Sequence, residues 1–335
     1  ETLKMLGKQK YGLLLAGLLV LALALVACQP QTVETVKEVV VTRVVTETVV
    51  EEGETVEVTR VVTEEVEVPV ETVVEVTAAP EEMMAATFSA ADPTTLLEMT
   101  FADVDTLDPA LAYDTASSGV LRQTMDALIT YNGSDSTTYV PNLALEVPSL
   151  ENGLISEDGL TYTFNIREGV TFHEGGELTP SDVAYTFQRG LLQSDPNGPQ
   201  WLWLEPIMGY ASGDVTEGIA DGAYAGDRDA LIANASPEEL AAVCETVQER
   251  IVADDASGTV TFNLAQPWGP LLATFPDFGY ILDKEWVIEQ GGWDGDCATW
   301  QNWYAPGSEN SELSPIVNGT GPYKLDHWTP TEEWV

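Results

Sequence analysis

The side chains of this 335-residue chain with most chemistry to offer are two histidines, three cysteines and 55 carboxylates. His173 and His327 stand far apart, and neither has a second His or a Cys at metal-ligand spacing. His173 precedes the Gly175-Gly176 pair, a setting that suits a turn hydrogen bond better than a ligand. No Ser, Thr or Cys lies in a motif that supplies a neighbouring base. The carboxylates are too numerous to single out an acid and base pair. The chain therefore offers no catalytic constellation, metal set or cofactor motif. Cys244 and Cys297 remain, and two cysteines in an exported domain are more often a disulfide than a redox pair. Two separate buried thiols are the other reading. A bond closing a loop of roughly 50 residues would contribute about 4 kcal/mol in the chain-entropy account.

That the chain is exported follows from its start. Lys4, Lys8 and Lys10 precede an uncharged run, Tyr11 to Ala27, that ends at Cys28. A positive start, an apolar stretch and small residues before a cut site make residues 1–27 a secretion leader rather than fold. Leu25-Val26-Ala27-Cys28 resembles a bacterial lipobox, which implies that Cys28 is acylated and becomes the mature N-terminus. The rival reading is an uncleaved anchor, since the apolar run sits at the short limit of a membrane span. Met5 reads as the true start, with Glu1 to Lys4 upstream of it.

The net charge of −42 sets the surface. Residues 83–335 hold seven basic residues against forty acidic ones. Such a surface repels phosphate backbones and argues against nucleic-acid binding. It equally disfavours lying flat on anionic lipid, so a covalent lipid is the consistent attachment.

Three regions are expected: the leader 1–27, a spacer 28–92 and a globular part 93–335. The spacer is nearly all Val, Thr and Glu, and Thr42-Arg43-Val44-Val45-Thr46-Glu47 recurs as Thr59-Arg60-Val61-Val62-Thr63-Glu64. Its apolar spacing wavers between two and three-to-four, so periodicity assigns neither strand nor helix. Its acidity predicts a solvated, extended spacer; a self-associating stalk, helical or β-rich, is the alternative.

In the globular part, Leu96 to Phe101 reads as a buried strand and Ser117 to Ile129 as a helix. Gly159 to Arg167 alternates Leu160, Tyr162, Phe164 and Ile166 on one face, a half-buried strand with Val170 to His173 as its hairpin partner. Thr179-Pro180-Ser181-Asp182 and Ser236-Pro237-Glu238-Glu239 carry the N-cap, proline and acidic third position of a helix start. Ile251-Val252 and Thr259 to Leu264 form a second hairpin around Asp254 to Gly258. Short helices follow near Pro270 to Phe275 and Lys284 to Gln290, and Pro322 to Trp328 reads as a last strand. Strands mixed with separately placed helices indicate an α+β, mixed α/β fold.

Four segments carry a family resemblance. Asp158 to Gly175 (DGLTYTFNIREGVTFHEG) resembles the DGLTYTFxLRxGVxFHDG block of the extracellular solute-binding proteins, family 5. Leu178 to Phe187 is similar to the LTAEDVxYS segment that follows it there. Thr106 to Ala110 resembles the early TLDPA loop, and Asn318 to Leu325 the GTGPYKL strand entry. The resemblance covers about Thr95 to Val335. It implies a periplasmic-binding-protein-like type II lobe and the substrate-binding lipoprotein of an ABC importer. Such a protein is a monomer that captures peptides or similar small solutes, hands them to a membrane permease and has no enzymatic activity. The chain stops ten residues past Leu325, so the resemblance also implies a truncated second lobe, half a binding site and weak solute binding.

The resemblance places the loop with Tyr113, Asp114 and Thr115 at the mouth of the ligand cleft. Asp114 is open between pairing with a peptide amine and capping the next helix. Trp201 and Trp203 are candidate aromatic platforms, with core packing as the alternative for at least one. Thr320, between Gly319 and Gly321, is a place where backbone can approach ligand, unless the glycines serve a tight turn. The aromatics Trp286, Trp293, Trp300, Trp303 and Tyr304 suggest packing around Cys297. An exported adhesion or assembly protein, carried by the repetitive stalk, is the competing function.

Overall fold

The structure is a computed structural model that describes residues 37–51, 54–68, 94–100 and 102–335, with side chains from Thr94 onward. Cys28, the expected leader and the parts of the expected spacer outside 37–51 and 54–68 lie outside the described residues. No helix among the described residues is long and apolar enough to cross a membrane. The chain divides between Leu96 and Leu97 into two compact units.

The first unit contains an antiparallel ribbon, β1 (Lys37–Glu51) against β2 (Glu54–Val68). The internal repeat pairs with itself: Thr42 faces Thr63, Val44 faces Val61 and Thr46 faces Thr59. The spacer was expected to be solvated and extended, with a helical or β-rich stalk as the alternative; the described part of it is extended and paired as a ribbon. β-branched Val and Thr suit a pleated surface. The Val-Val doublets put valine on both faces and so hide the period of two from the sequence.

In the second unit α1 (Thr115–Thr124) starts at Asp114, whose Oδ1 accepts from the N–H groups of Ala116 and Ser117 at 2.9 Å each. The helix ends five residues before the expected Ile129, because Met125 turns to an extended conformation. The hairpin β3 (Ile129–Asn132) and β4 (Asp135–Pro141) follows.

The central sheet has three antiparallel strands in the order β5 (Thr161–Asn165), β7 (Thr259–Asn263), β6 (Ile251–Asp254). Sequence pattern locates β5 and the β6–β7 hairpin. It assigns β5 the wrong neighbour: Val170 to His173 forms no strand, and β5 pairs with β7, Tyr162 opposite Phe262 and Phe164 opposite Val260. Both strands bury alternate apolar residues, so pairing them joins two apolar faces into one. Residues 170–177 make a tight loop instead, bridged at Thr171 and Glu177, with Gly175 and Gly176 at positive φ.

Two long helices lie against this sheet. α2 (Pro180–Gln193) carries a full capping box between Thr179 and Asp182. α3 (Trp201–Met208), α4 (Glu217–Ala220) and α5 (Arg228–Asn234) follow. α6 (Pro237–Arg250) has a second capping box between Ser236 and Glu239. The chain continues through β6 and β7 to α7 (Leu271–Phe278) and α8 (Lys284–Glu289).

Between sheet and helices sits an aromatic core. Phe187 of α2 lies 4.6 Å from Trp203 and 5.0 Å from Phe262, and Phe275 stands 4.8 Å from Trp203. Edge-to-face packing of such rings adds about 0.5–1.5 kcal/mol per pair beyond area burial.

Two expected strands are absent. Residues 95–100 are not in a strand, and Leu96, Leu97 and Met99 are 81%, 82% and 90% exposed. Pro322 to His327 is irregular, and only β8 (Trp328–Thr329) pairs with β9 (Glu333–Trp334).

Candidate functional site

Asp108 organises the loop that precedes α1. Its carboxylate receives two bonds from the Arg189 guanidinium, at 2.9 and 2.6 Å, and one from the Ser311 hydroxyl. Both charged side chains are almost wholly buried. Burial opposes ionisation of Asp108, but the adjacent Arg189 charge and the hydrogen bonds outweigh it and hold the carboxyl below its ordinary value. Thr106 bonds Ser314 through their hydroxyls, and the Leu107 N–H bonds the Ser314 carbonyl. The loop is thus pinned to α2 and to residues 311–314, and Tyr113 is presented from a rigid base.

Tyr113 is 47% exposed and Trp201, at the start of α3, is 48% exposed. Their rings meet edge-on at 6.5 Å, and Tyr113 also lies 5.5 Å from the half-buried Phe278 at the end of α7. Three aromatic rings from three elements therefore share one surface. Phe278 also lines a cavity of about 10 Å³ with Ala110, Arg189, Gln200 and Tyr280. That is room for about one water. The buried Nε of Arg189, one of its lining residues, has no hydrogen-bond partner.

The turn before α3 sets the spacing between Tyr113 and Trp201. A Cβ on Gly198 would stand 2.4 Å from the Ala110 carbonyl oxygen, so only glycine lets these two backbones touch. Such a surface can hold an apolar or planar group by stacking; it contains no nucleophile.

The structure separates the other expected site residues. Asp114 caps α1 through Oδ1, as one of its two readings required. Thr115 is the exposed first residue of that helix. Trp203 is fully buried between Phe187 and Phe275, so of the two only Trp201 is exposed. Helical geometry explains this, since residues two apart point to different sides.

Thr320 donates to Asp126 at 2.9 Å. A Cβ on Gly319 would lie 2.1 Å from the Thr124 carbonyl oxygen, and one on Gly321 would lie 2.6 Å from the Thr124 carbonyl carbon. These glycines admit the end of α1. His173 bonds the Gly321 carbonyl through Nε2 at 2.8 Å and fastens the same segment.

Cys244 of α6 and Cys297 are bonded, with Cα atoms 5.3 Å apart. Trp300, Trp293 and Tyr304 are buried around this region, and the Trp300 indole donates to the Leu240 carbonyl of α6. Three carboxylates, Asp182, Asp283 and Glu285, come close together. Asp182 accepts from Thr179 and the Lys284 N–H, and Asp283 from the Trp286 N–H and Asn318. Burial raises the pKa of both aspartates. Their work is capping α2 and α8.

Sequence reading did not find Phe278 or the Asp108–Arg189 pair. The helix carrying Phe278 was expected to end at Phe275, and no spacing rule links residues as far apart as 108 and 189.

Residues 138–335 match the family described as bacterial extracellular solute-binding proteins, family 5, middle portion. The chain is 28% identical over 200 residues to the dipeptide-binding protein of Escherichia coli, covering 58% of this chain and 28% of that one. It is 36% identical over 244 residues to di/tripeptide-binding protein 2 of Pseudomonas aeruginosa, covering 70% and 35%. The solved ABC transporter-associated periplasmic binding protein DppA of Helicobacter pylori, in complex with the peptide STSA, superposes with a TM-score of 0.44 at 26% identity, covering 70% and 36%. The chain thus spans 28% to 36% of the length of these relatives. With that match over more than half its residues, the chain belongs to the bacterial extracellular solute-binding proteins, family 5.

Proposed function

We propose that the chain is the solute-contacting part of a lipid-anchored binding protein that captures peptides or similar small solutes and delivers them to an ABC permease. The observation that carries this reading is the exposed ring cluster of Tyr113, Trp201 and Phe278, set on a loop held by a buried ion pair. Rigid aromatic surface binds apolar side chains at small entropic cost. The relatives' names point to peptides, and the family to extracellular binding rather than turnover. Cys28 carries the lipid and residues 31–80 hold the binding unit off the membrane. Since the chain covers about a third of its relatives, capture and delivery by the whole protein are part of this proposal.

Trp201 tests it. Solute stacking on a half-exposed indole shifts its emission, so titrating di- and tripeptides with apolar side chains into the protein should shift fluorescence. Trp201→Ala should weaken binding by about tenfold, since the lost ring contact is worth about 1.4 kcal/mol. Binding that is unchanged in Trp201→Ala would remove this cluster from the solute site. Cys28→Ser should release the protein from the membrane fraction; full retention would mean that the leader itself is the anchor.

A further inference from the structure

The register of the β1–β2 ribbon sorts its residues into two unlike faces. Cross-strand partners share a face and successive residues alternate, so the odd positions of β1 lie with the even positions of β2. That face gathers nine of the ribbon's valines, at 39, 41, 45, 49, 56, 58, 62, 66 and 68. It also holds all three of the ribbon's basic residues, Lys37, Arg43 and Arg60, beside Glu47, Glu51, Glu54 and Glu64. The opposite face has Glu38, Glu57, Glu65 and Glu67, no basic residue, and is otherwise Thr and four valines. One face is therefore apolar and close to neutral, the other polar and acidic.

A two-stranded sheet is marginal in water without a packing partner. We propose that the valine face of this ribbon is covered by the same face of a second copy, turned end for end. The charge pattern favours this partner and this direction, through one ion pair at each end and no like-charge contact. In an antiparallel face-to-face arrangement centred on Val44, β1 lies over β1 and β2 over β2. Lys37 then stands over Glu51 of the mate, Val39 over Val49, Val41 over Glu47 and Arg43 over Val45. Along β2, Val68 stands over Glu54, Val66 over Val56, Glu64 over Val58 and Val62 over Arg60. No two like charges meet. A parallel, in-register arrangement instead sets Glu51 of one copy against Glu54 of the other. The rest of the chain, with forty acidic and seven basic residues over 83–335, has few cations to offer the four glutamates of this face, whereas a second copy brings three.

Cysteine cross-linking of the full chain in membranes of producing cells tests the face, and charge exchange tests the direction. Val45→Cys lies near the proposed two-fold and should give a linked dimer with a short bismaleimide. Thr46→Cys, on the acidic face, should give none above the unsubstituted chain. Lys37→Glu should lower the Val45→Cys dimer yield severalfold, and adding Glu51→Lys should restore it. Equal linking at Val45 and Thr46, or none at either, would overturn the proposal. A bimane label at Val45→Cys quenched by spin-labelled lipid would overturn it too, by showing that the membrane covers the face.

Discussion

Arg189 and Asp108 are the pair whose loss should be felt most. Removing one partner strands the other charge where water cannot reach it, which typically costs 3–5 kcal/mol. Asp108→Ala should therefore lower thermal stability sharply, measured by calorimetric melting. Arg189→Met with Asp108→Leu should recover much of that loss while freeing the Tyr113 loop, so stability and solute affinity should come apart. Recovery of both would mean that the ion pair does not position the loop. Gly198→Ala tests the same spacing from the other side. A methyl 2.4 Å from the Ala110 oxygen forces the two backbones apart, so affinity should fall even where the melting temperature barely moves. None of this was readable from the sequence at the level of partners. The sequence marks Asp108 and Gly198 as loop residues, but burial and pairing across 81 positions depend on where the helices pack.

At the scale of elements, local chemistry is what the sequence shows best. Both capping boxes and the β6–β7 hairpin follow from neighbouring residues, and all three are present. The partner of β5 lies about a hundred residues away and is fixed by which apolar faces meet, so pattern alone misassigns it. Residues 95–100 show the opposite error: apolar residue types suggested burial where the structure provides no sheet.

The caps also predict an acid response. Asp182 and Asp283 have raised values because burial disfavours their charged forms, so ionising them costs stability, and that cost is relieved as pH falls through their folded values. Asp108 has a lowered value, so its contribution is full above the unfolded value of 3.8 and lost as pH falls further, through its folded value. Stability should rise on mild acidification and collapse only at lower pH, as followed by urea unfolding across pH. A monotonic decline from neutral pH would contradict the assignment. The disulfide belongs to this scale as well. Non-reducing peptide mapping of the purified protein should recover Cys244 linked to Cys297, and two freely alkylated thiols would contradict the bonded arrangement.

For the molecule as a whole, the second unit is held together by contacts between residues far apart in the chain. Leu107 bonds Ser314, Asp108 binds Arg189 and Ser311, Tyr162 faces Phe262, and His173 bonds Gly321. Closing loops of that length costs entropy before any contact is made, and each doubling adds only about 0.6 kcal/mol, so the burden falls on rate more than on final stability. The central sheet cannot close until residue 263 has emerged, and the loop under Tyr113 cannot lock until residue 314 has. A chain built this way stays open until those residues have emerged and then closes cooperatively. While it waits, Tyr162 and Phe164 stand on a strand with no neighbour, so aggregation in that interval is the hazard this topology carries.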